Sequence, residues 1–202
     1  MRAVAAEIEW PRAISETTTW RLPDRGTVGM MSFIIAESAI FTIFVVAYLF
    51  YLGKSPTGPT PRDVLEVPVF YTICLLSSSV TIHLAGTRLE RNDSKSFLVF
   101  WLITIALGTL FMFGTAQEWR RLIDEHGLTI STNLFGTTYY SLVGLHAFHV
   151  TLGLLMLTIV CWLSVTGSLR RQSQRVDVLS LYWHFVDVVW VVVFTVVYVI
   201  GR

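Results

Sequence analysis

The chain has 202 residues, 53% of them hydrophobic and 14% charged, with a formal net charge of +1 and a mean hydropathy of +0.61. That balance is too apolar and too charge-poor for an ordinary soluble domain. No basic stretch interleaved with aromatics supports a nucleic-acid partner. Cys74 and Cys161 sit far apart in apolar runs, which excludes a sequence-legible disulfide framework or zinc site.

In chain order, residues 1–26, "MRAVAAEIEWPRAISETTTWRLPDRG", are mixed in charge without a continuous apolar stretch. They read as a polar N-terminal tail, not a cleaved signal. Residues 27–202 read as one all-α membrane domain, a bundle of five transmembrane helices. Expected spans are 28–52, 67–86, 96–117, 137–166 and 179–200. Each run supplies the roughly 20 apolar residues that a bilayer crossing needs. None shows the alternation of barrel strands. The second span, with "LLSSSVTIHLAG", is rich in hydroxyls, and Ser77, Ser78, Ser79 and Thr81 are expected to pack on neighbouring helices. Loops such as "GKSPTGPTPRDVLEVP" are short and rich in turn residues.

With the N-terminus cytoplasmic, ten Lys and Arg fall on inner segments and five on outer ones. The positive-inside bias favours that orientation and places the C-terminus outside. Tyr48, Tyr51, Trp119, Tyr139, Tyr140, Trp162, Tyr182, Trp183 and Tyr198 cluster near span ends and suit interfacial belts.

Few ionisable groups lie inside the spans: Glu37 in the first, His83 in the second, His146 and His149 in the fourth, His184 and Asp187 in the fifth. Buried in lipid, each should face the bundle and find a partner. His146 and His149 are three apart on one helix face, as are His184 and Asp187. Counted at helical rise from the cytoplasmic ends, Glu37 and Asp187 reach similar depths of roughly 12–14 Å and are candidates for one polar layer. Three uses of such groups stand open. A metal or haem site is one, although the Glu-x-x-His motifs of di-iron bundles are missing. A proton relay or transport path is the second. The third is structural, with paired groups that join helix to helix.

Several stretches are similar to subunit III of the haem-copper terminal oxidases. "GMMSFIIAESAIFTIFVVAYLF" resembles the family helix that carries an intramembrane carboxylate, at Glu37 here. "AQEWRRL" and "GLTISTNLFGTTYY" resemble the connection that leads into "TTYYSLVGLHAFHVTLG", and "YWHFVDVVWVVVFTVVYVIG" resembles the final helix. The likeness runs over about residues 27–202 in family order. Longer members carry two further N-terminal helices, so the chain resembles the short five-helix form.

The resemblance implies a non-catalytic subunit of a bacterial cytoplasmic-membrane oxygen reductase, a hetero-oligomer. In such an assembly haem and copper belong to partner subunits I and II, and subunit III has no cofactor or metal of its own. Subunit III packs chiefly on subunit I, binds phospholipid and supports proton uptake. The expected polar and proton-uptake residues are Glu37, His146, His149, His184 and Asp187. Arg88, Arg91, Arg170, Arg171 and Arg175 are expected near lipid headgroups. Gln117 and Glu118 match a Gln-Glu-aromatic pattern and are expected to cap a helix or meet a partner. The electron donor, cytochrome c or quinol, is left open, and so is a nitric oxide reductase-associated relative. An independent haem or metal protein is the distant alternative.

Overall fold

The computed structural model describes residues 25–55, 57–166 and 173–202. The helices are α1 (Arg25–Tyr51), α2 (Pro61–Val64), α3 (Val69–Glu90), α4 (Ser94–Asp124), α5 (Leu134–Val165) and α6 (Ser173–Phe194). The last runs on as a π-helix over Thr195–Ile200. Five of these helices are long and apolar enough to cross a membrane, and no strand occurs among the described residues. α4 outruns the expected 96–117 at its C-terminal end, where polar residues such as Arg120 and Arg121 continue the helix, and α5 starts at Leu134, before the expected 137–166. Apolar content marks where lipid ends; it does not mark where helical hydrogen bonding ends. Arg170 and Arg171 lie outside the described residues.

Capping residues set the tight turns. Asn92, at φ 58°, takes the left-handed conformation that ends α3. The Asn92 N–H reaches the Leu89 carbonyl at 3.0 Å and the Asp93 N–H reaches Arg88 at 3.0 Å, a Schellman closure. Asp93 then caps α4 by accepting from the Ser96 N–H at 3.1 Å. One residue thus closes one helix and opens the next, which holds α3 and α4 as an antiparallel pair. Asn133 caps α5 through the Gly136 N–H at 2.8 Å. Its amide also donates to the carbonyls of Thr57 and Pro59, which straps the loop after α1 to the head of α5.

α3 packs on α4 and α6, and α5 packs on α4 and α6, so these four close into a ring; α1 lies outside it against α5 and α6. Trp183 of α6, fully buried, fills the centre. Its indole N–H donates to Ser78 Oγ of α3 at 2.8 Å. Its ring lies against Gly108 of α4 and Gly153 of α5, where an added Cβ would come within 2.9 and 2.7 Å of it. Small residues on two helices therefore make the slot for one large residue on a third. Lipid tails are as apolar as the helices, so packing of this kind and interhelical hydrogen bonds hold a membrane bundle together. Trp101 to the Leu157 carbonyl (2.9 Å), Trp190 to Thr72 Oγ1 (3.2 Å) and Thr81 to Thr104 (2.7 Å) add further links. Ser78, Ser79 and Thr81 thus face helices as expected, whereas Ser77 is exposed.

Candidate functional site

Glu37 sits on the face of α1 turned to α5. Its Oε2 lies 3.2 Å from His149 Nε2, with side chains 17% and 5% exposed. The other ring nitrogen, Nδ1, lies 2.8 Å from the Leu145 carbonyl. A carbonyl only accepts, so Nδ1 must carry hydrogen. In a neutral ring Nε2 is then bare, and it meets a carboxyl oxygen. The contact is a hydrogen bond only when the pair holds one further proton, on Glu37 as an acid or on His149 as imidazolium. Either way the pair is neutral as a whole, which suits a low-dielectric setting. Phe41 covers the imidazole with ring centroids 5.1 Å apart. Tyr182 of α6 donates to the His149 carbonyl at 3.0 Å, so the site joins α1, α5 and α6.

His146, one turn before His149, points elsewhere. It is buried with neither ring nitrogen hydrogen-bonded. It stacks on Trp190 at 4.9 Å and meets the edge of Phe111 at 5.8 Å. The expectation that each intramembrane group finds a polar partner fails here. Between Trp190 and Phe111 the imidazole packs as one more aromatic.

His184 and Asp187 do not bond to each other. Both meet Ser79 of α3: its hydroxyl donates to Asp187 Oδ2 through a short hydrogen bond, and His184 Nδ1 lies 3.0 Å from the same Oγ. Asp187 is buried and its Oδ1 has no partner; His184 is half-buried. The pair read from spacing is therefore a triad with a serine from another helix at its centre. Nothing in the sequence singles out Ser79 from its neighbours in the Ser-Ser-Ser run, because the choice depends on the rotation of α3 against α6. Glu37 and Asp187 are in separate hydrogen-bonded groups and do not meet.

At the other end of the bundle, Gln117 and Glu118 tie helices together. Tyr71 of α3 donates to Gln117 Oε1 at 2.9 Å, and Tyr198 of the π-helical segment donates to both Glu118 oxygens at 2.9 Å. They do not cap α4; the chain leaves it through Gly127 at φ 59°. Arg121 meets Glu66, in the loop between α2 and α3, at 2.5 Å. That guanidinium, by its hydrogen bond first and its charge second, holds the exposed Glu66 carboxyl below the ordinary glutamate value. A cavity of about 360 Å³ opens among Tyr71, Gln117, Glu118 and Arg121.

Arg88 is half-buried beside the Phe100 ring, and Arg91 is exposed. Arg175 is exposed and borders a mostly apolar cavity of about 410 Å³ between α1, α5 and α6, with Met30, Met156 and Leu179 in its walls. Among the described residues no three His, Cys, Asp or Glu side chains gather as a metal-ligand set.

The family model described as "Cytochrome c oxidase subunit III" matches residues 3–202. A protein named "Cytochrome c oxidase subunit 3" from Synechocystis is 41% identical over 183 residues, covering 88% of this chain and 77% of that one. A protein of the same name from Thermostichus vulcanus is 33% identical over 184 residues, covering 89% and 90%. "Quinol oxidase subunit 3" from Bacillus subtilis is 32% identical over 177 residues, covering 86% of each chain.

Proposed function

From the premise that the chain belongs to the cytochrome c oxidase subunit III family, we propose that it is the non-catalytic third subunit of a proton-pumping oxygen reductase supplied with electrons by cytochrome c. The observation that carries this reading is the family match along residues 3–202. In the assembly, haem and copper reside in subunits I and II, where dioxygen is reduced. This chain contributes packing, bound lipid and support for proton uptake. It sits in the bacterial cytoplasmic membrane with its N-terminus inside, residues 1–26 as a cytoplasmic tail, and its C-terminus outside.

Three features support the division of labour. α1 presents a long apolar face with Met31, Ile35, Ile43 and Phe50 exposed, suited to lipid or to a neighbouring subunit. The apolar cavity bordered by Arg175 suits an acyl chain with its anionic headgroup at the arginine. Arg88 stands in the last turn of α3 and Arg91 at its C-cap. The Glu37–His149 contact lies at the α1–α5 seam and joins a carboxyl to an imidazole inside the membrane span.

Similarity to a protein named as a quinol oxidase subunit supports a second donor reading. Purification of the native assembly through a tag on this chain separates the two. Haem and copper are expected in the purified complex, with oxygen uptake driven by reduced cytochrome c. Uptake driven by quinol alone selects the second reading. Haem or copper bound stoichiometrically to this chain expressed by itself overturns the non-catalytic role. Glu37→Gln in the assembly tests proton support: turnover should fall mainly at high pH, and a profile equal to wild type rejects that role.

A further inference from the structure

We infer that His184, Ser79 and Asp187 form a proton-binding site buried in the bundle and filled from the cavity between α3 and α6. The cavity is about 310 Å³, and its polar lining is His83, Thr87 and Glu90 from α3 with Asp177, Ser180 and His184 from α6. A space of that size with that lining holds water. It lies at the end of the bundle formed by the C-terminus of α3 and the N-terminus of α6, which the charge bias places on the cytoplasmic side.

Hydrogen bookkeeping gives the triad a direction. Ser79 has one hydroxyl hydrogen and gives it to Asp187 Oδ2. At its contact with His184 Nδ1, 3.0 Å away, Ser79 Oγ must therefore accept, so Nδ1 carries hydrogen. Nε2, on the opposite side of the ring, is the nitrogen left for the cavity, where His184 is half-buried.

A proton from cavity water that binds Nε2 starts a balanced transfer. The Nδ1 hydrogen passes to Ser79 Oγ as the Ser79 hydrogen passes to Asp187 Oδ2. Asp187 becomes a carboxylic acid, and His184 is again neutral, now protonated at Nε2. Both hydrogen bonds survive with reversed polarity: Asp187 donates to Ser79, and Ser79 donates to His184. One proton has entered, one carboxylate charge has been neutralised, and no co-reactant is required.

The other acidic, basic and histidine side chains on the helices packed against α6 are Arg25 and Glu37 on α1, His146 and His149 on α5, and His83, Arg88 and Glu90 on α3; α6 itself adds Arg175 and Asp177. None of them hydrogen-bonds Asp187, whose Oδ1 stands without a partner. The carboxyl therefore exchanges protons through Ser79. The proposal deepens the proton-support reading by naming a loading route, but proton binding is read in this chain alone and stands or falls without oxidase turnover.

The test uses the full-length chain reconstituted in lipid nanodiscs with isotope-labelled aspartate. Infrared difference spectra across a pH series and after transfer to heavy water follow the carboxylic C=O stretch. A band that grows as pH falls and is absent in Asp187→Asn assigns the site. Removing a positioned proton carrier should slow its deuterium exchange by about 100-fold in Ser79→Ala, whereas Ser79→Thr keeps a hydroxyl and should stay fast. Circular dichroism checks that each variant folds. Where Ser79→Ala does not fold, His184→Phe carries the same test and should also be slow. Absence of any Asp187 band, or wild-type exchange in a folded variant lacking either carrier, overturns the proposal.

Discussion

α1 and the span Arg175–Ile200 are almost matched in length, 27 against 26 residues, and both are strongly apolar. Only 11% of the most apolar stretch of α1 is buried inside the chain, against 50% of that of α6. α1 buries Phe41 and Tyr48 and fastens its middle through Glu37 to His149. α6 sends Trp183 to Ser78, Trp190 to Thr72, Tyr182 to the His149 carbonyl and Asp187 to Ser79. Apolar content decides that a segment enters the bilayer. Which neighbours it then keeps depends on interdigitating shape and on a few placed polar atoms, because lipid competes equally for plain apolar surface. α6 is a structural hub, and α1 is a docked helix whose remaining surface is left to the bilayer or to another chain.

The strongest way to break that contrast is to empty its centre. Trp183→Ala should cost about 4 kcal/mol, since the slot between Gly108 and Gly153 cannot close on a lost indole. Ile35→Ala, on the face of α1 where Ile35 is 71% exposed, should change stability by less than about 0.5 kcal/mol. Reversible denaturation in mixed micelles measures both, and equal losses would abolish the distinction between hub and docked helix.

Glu37→Ala comes next. It removes the partner of His149 Nε2 and should cost about 1–3 kcal/mol, the penalty of one buried polar group left alone. The loss should be local. Amide hydrogen exchange is expected to quicken along α1 and to stay unchanged in α3 and α4, which the pair does not touch. Uniform loss of protection would show that α1 is integral to the ring.

Asn133→Ala should cost about 1 kcal/mol as the N-cap of α5 is lost. Because Asn133 also holds the loop after α1, exchange should rise at residues 53–60 as well as in the first turn of α5. That outcome would show that α1 is restrained from its C-terminal end in addition to Glu37.

The smallest effect concerns Glu66. Its folded pKa lies below the ordinary 4.5 because of Arg121. Its contribution is therefore present above the unfolded value and is lost as pH falls through the folded one. Glu66 is exposed and its partner Arg121 only partly so, so Glu66→Gln should lower stability only slightly, at pH values above about 4.5 where the carboxylate is charged. Below the folded pKa, where the wild-type carboxyl is protonated, the variant and wild-type curves should meet.

Much of the architecture could be read without coordinates. Twenty-residue apolar runs and the base rules of lipid solvation give five spans, and the turn residues between them give their antiparallel order. Ends were less legible: α4 and α5 continue past the apolar runs because Asp93, Asn133 and Gly127 act through backbone geometry that hydropathy does not register. Among the polar groups, rarity alone made Glu37, His149, His184 and Asp187 conspicuous, since a charge in lipid demands a reason. Rarity could not say what each would meet.

The sequence by itself determined the class of the protein, the number of its crossings and the short roster of residues whose burial needs explaining, because these follow from composition along a single helix. Tertiary structure decided the partners. Two histidines one turn apart on α5 part company, His149 turning to Glu37 on α1 and His146 to the Trp190 ring. A serine that looks like its neighbours becomes the bridge between His184 and Asp187. Both outcomes depend on how each helix is rotated against the next. Those rotations rest on contacts among residues remote in sequence, such as Trp183 against Gly108 and Gly153, that no local pattern encodes.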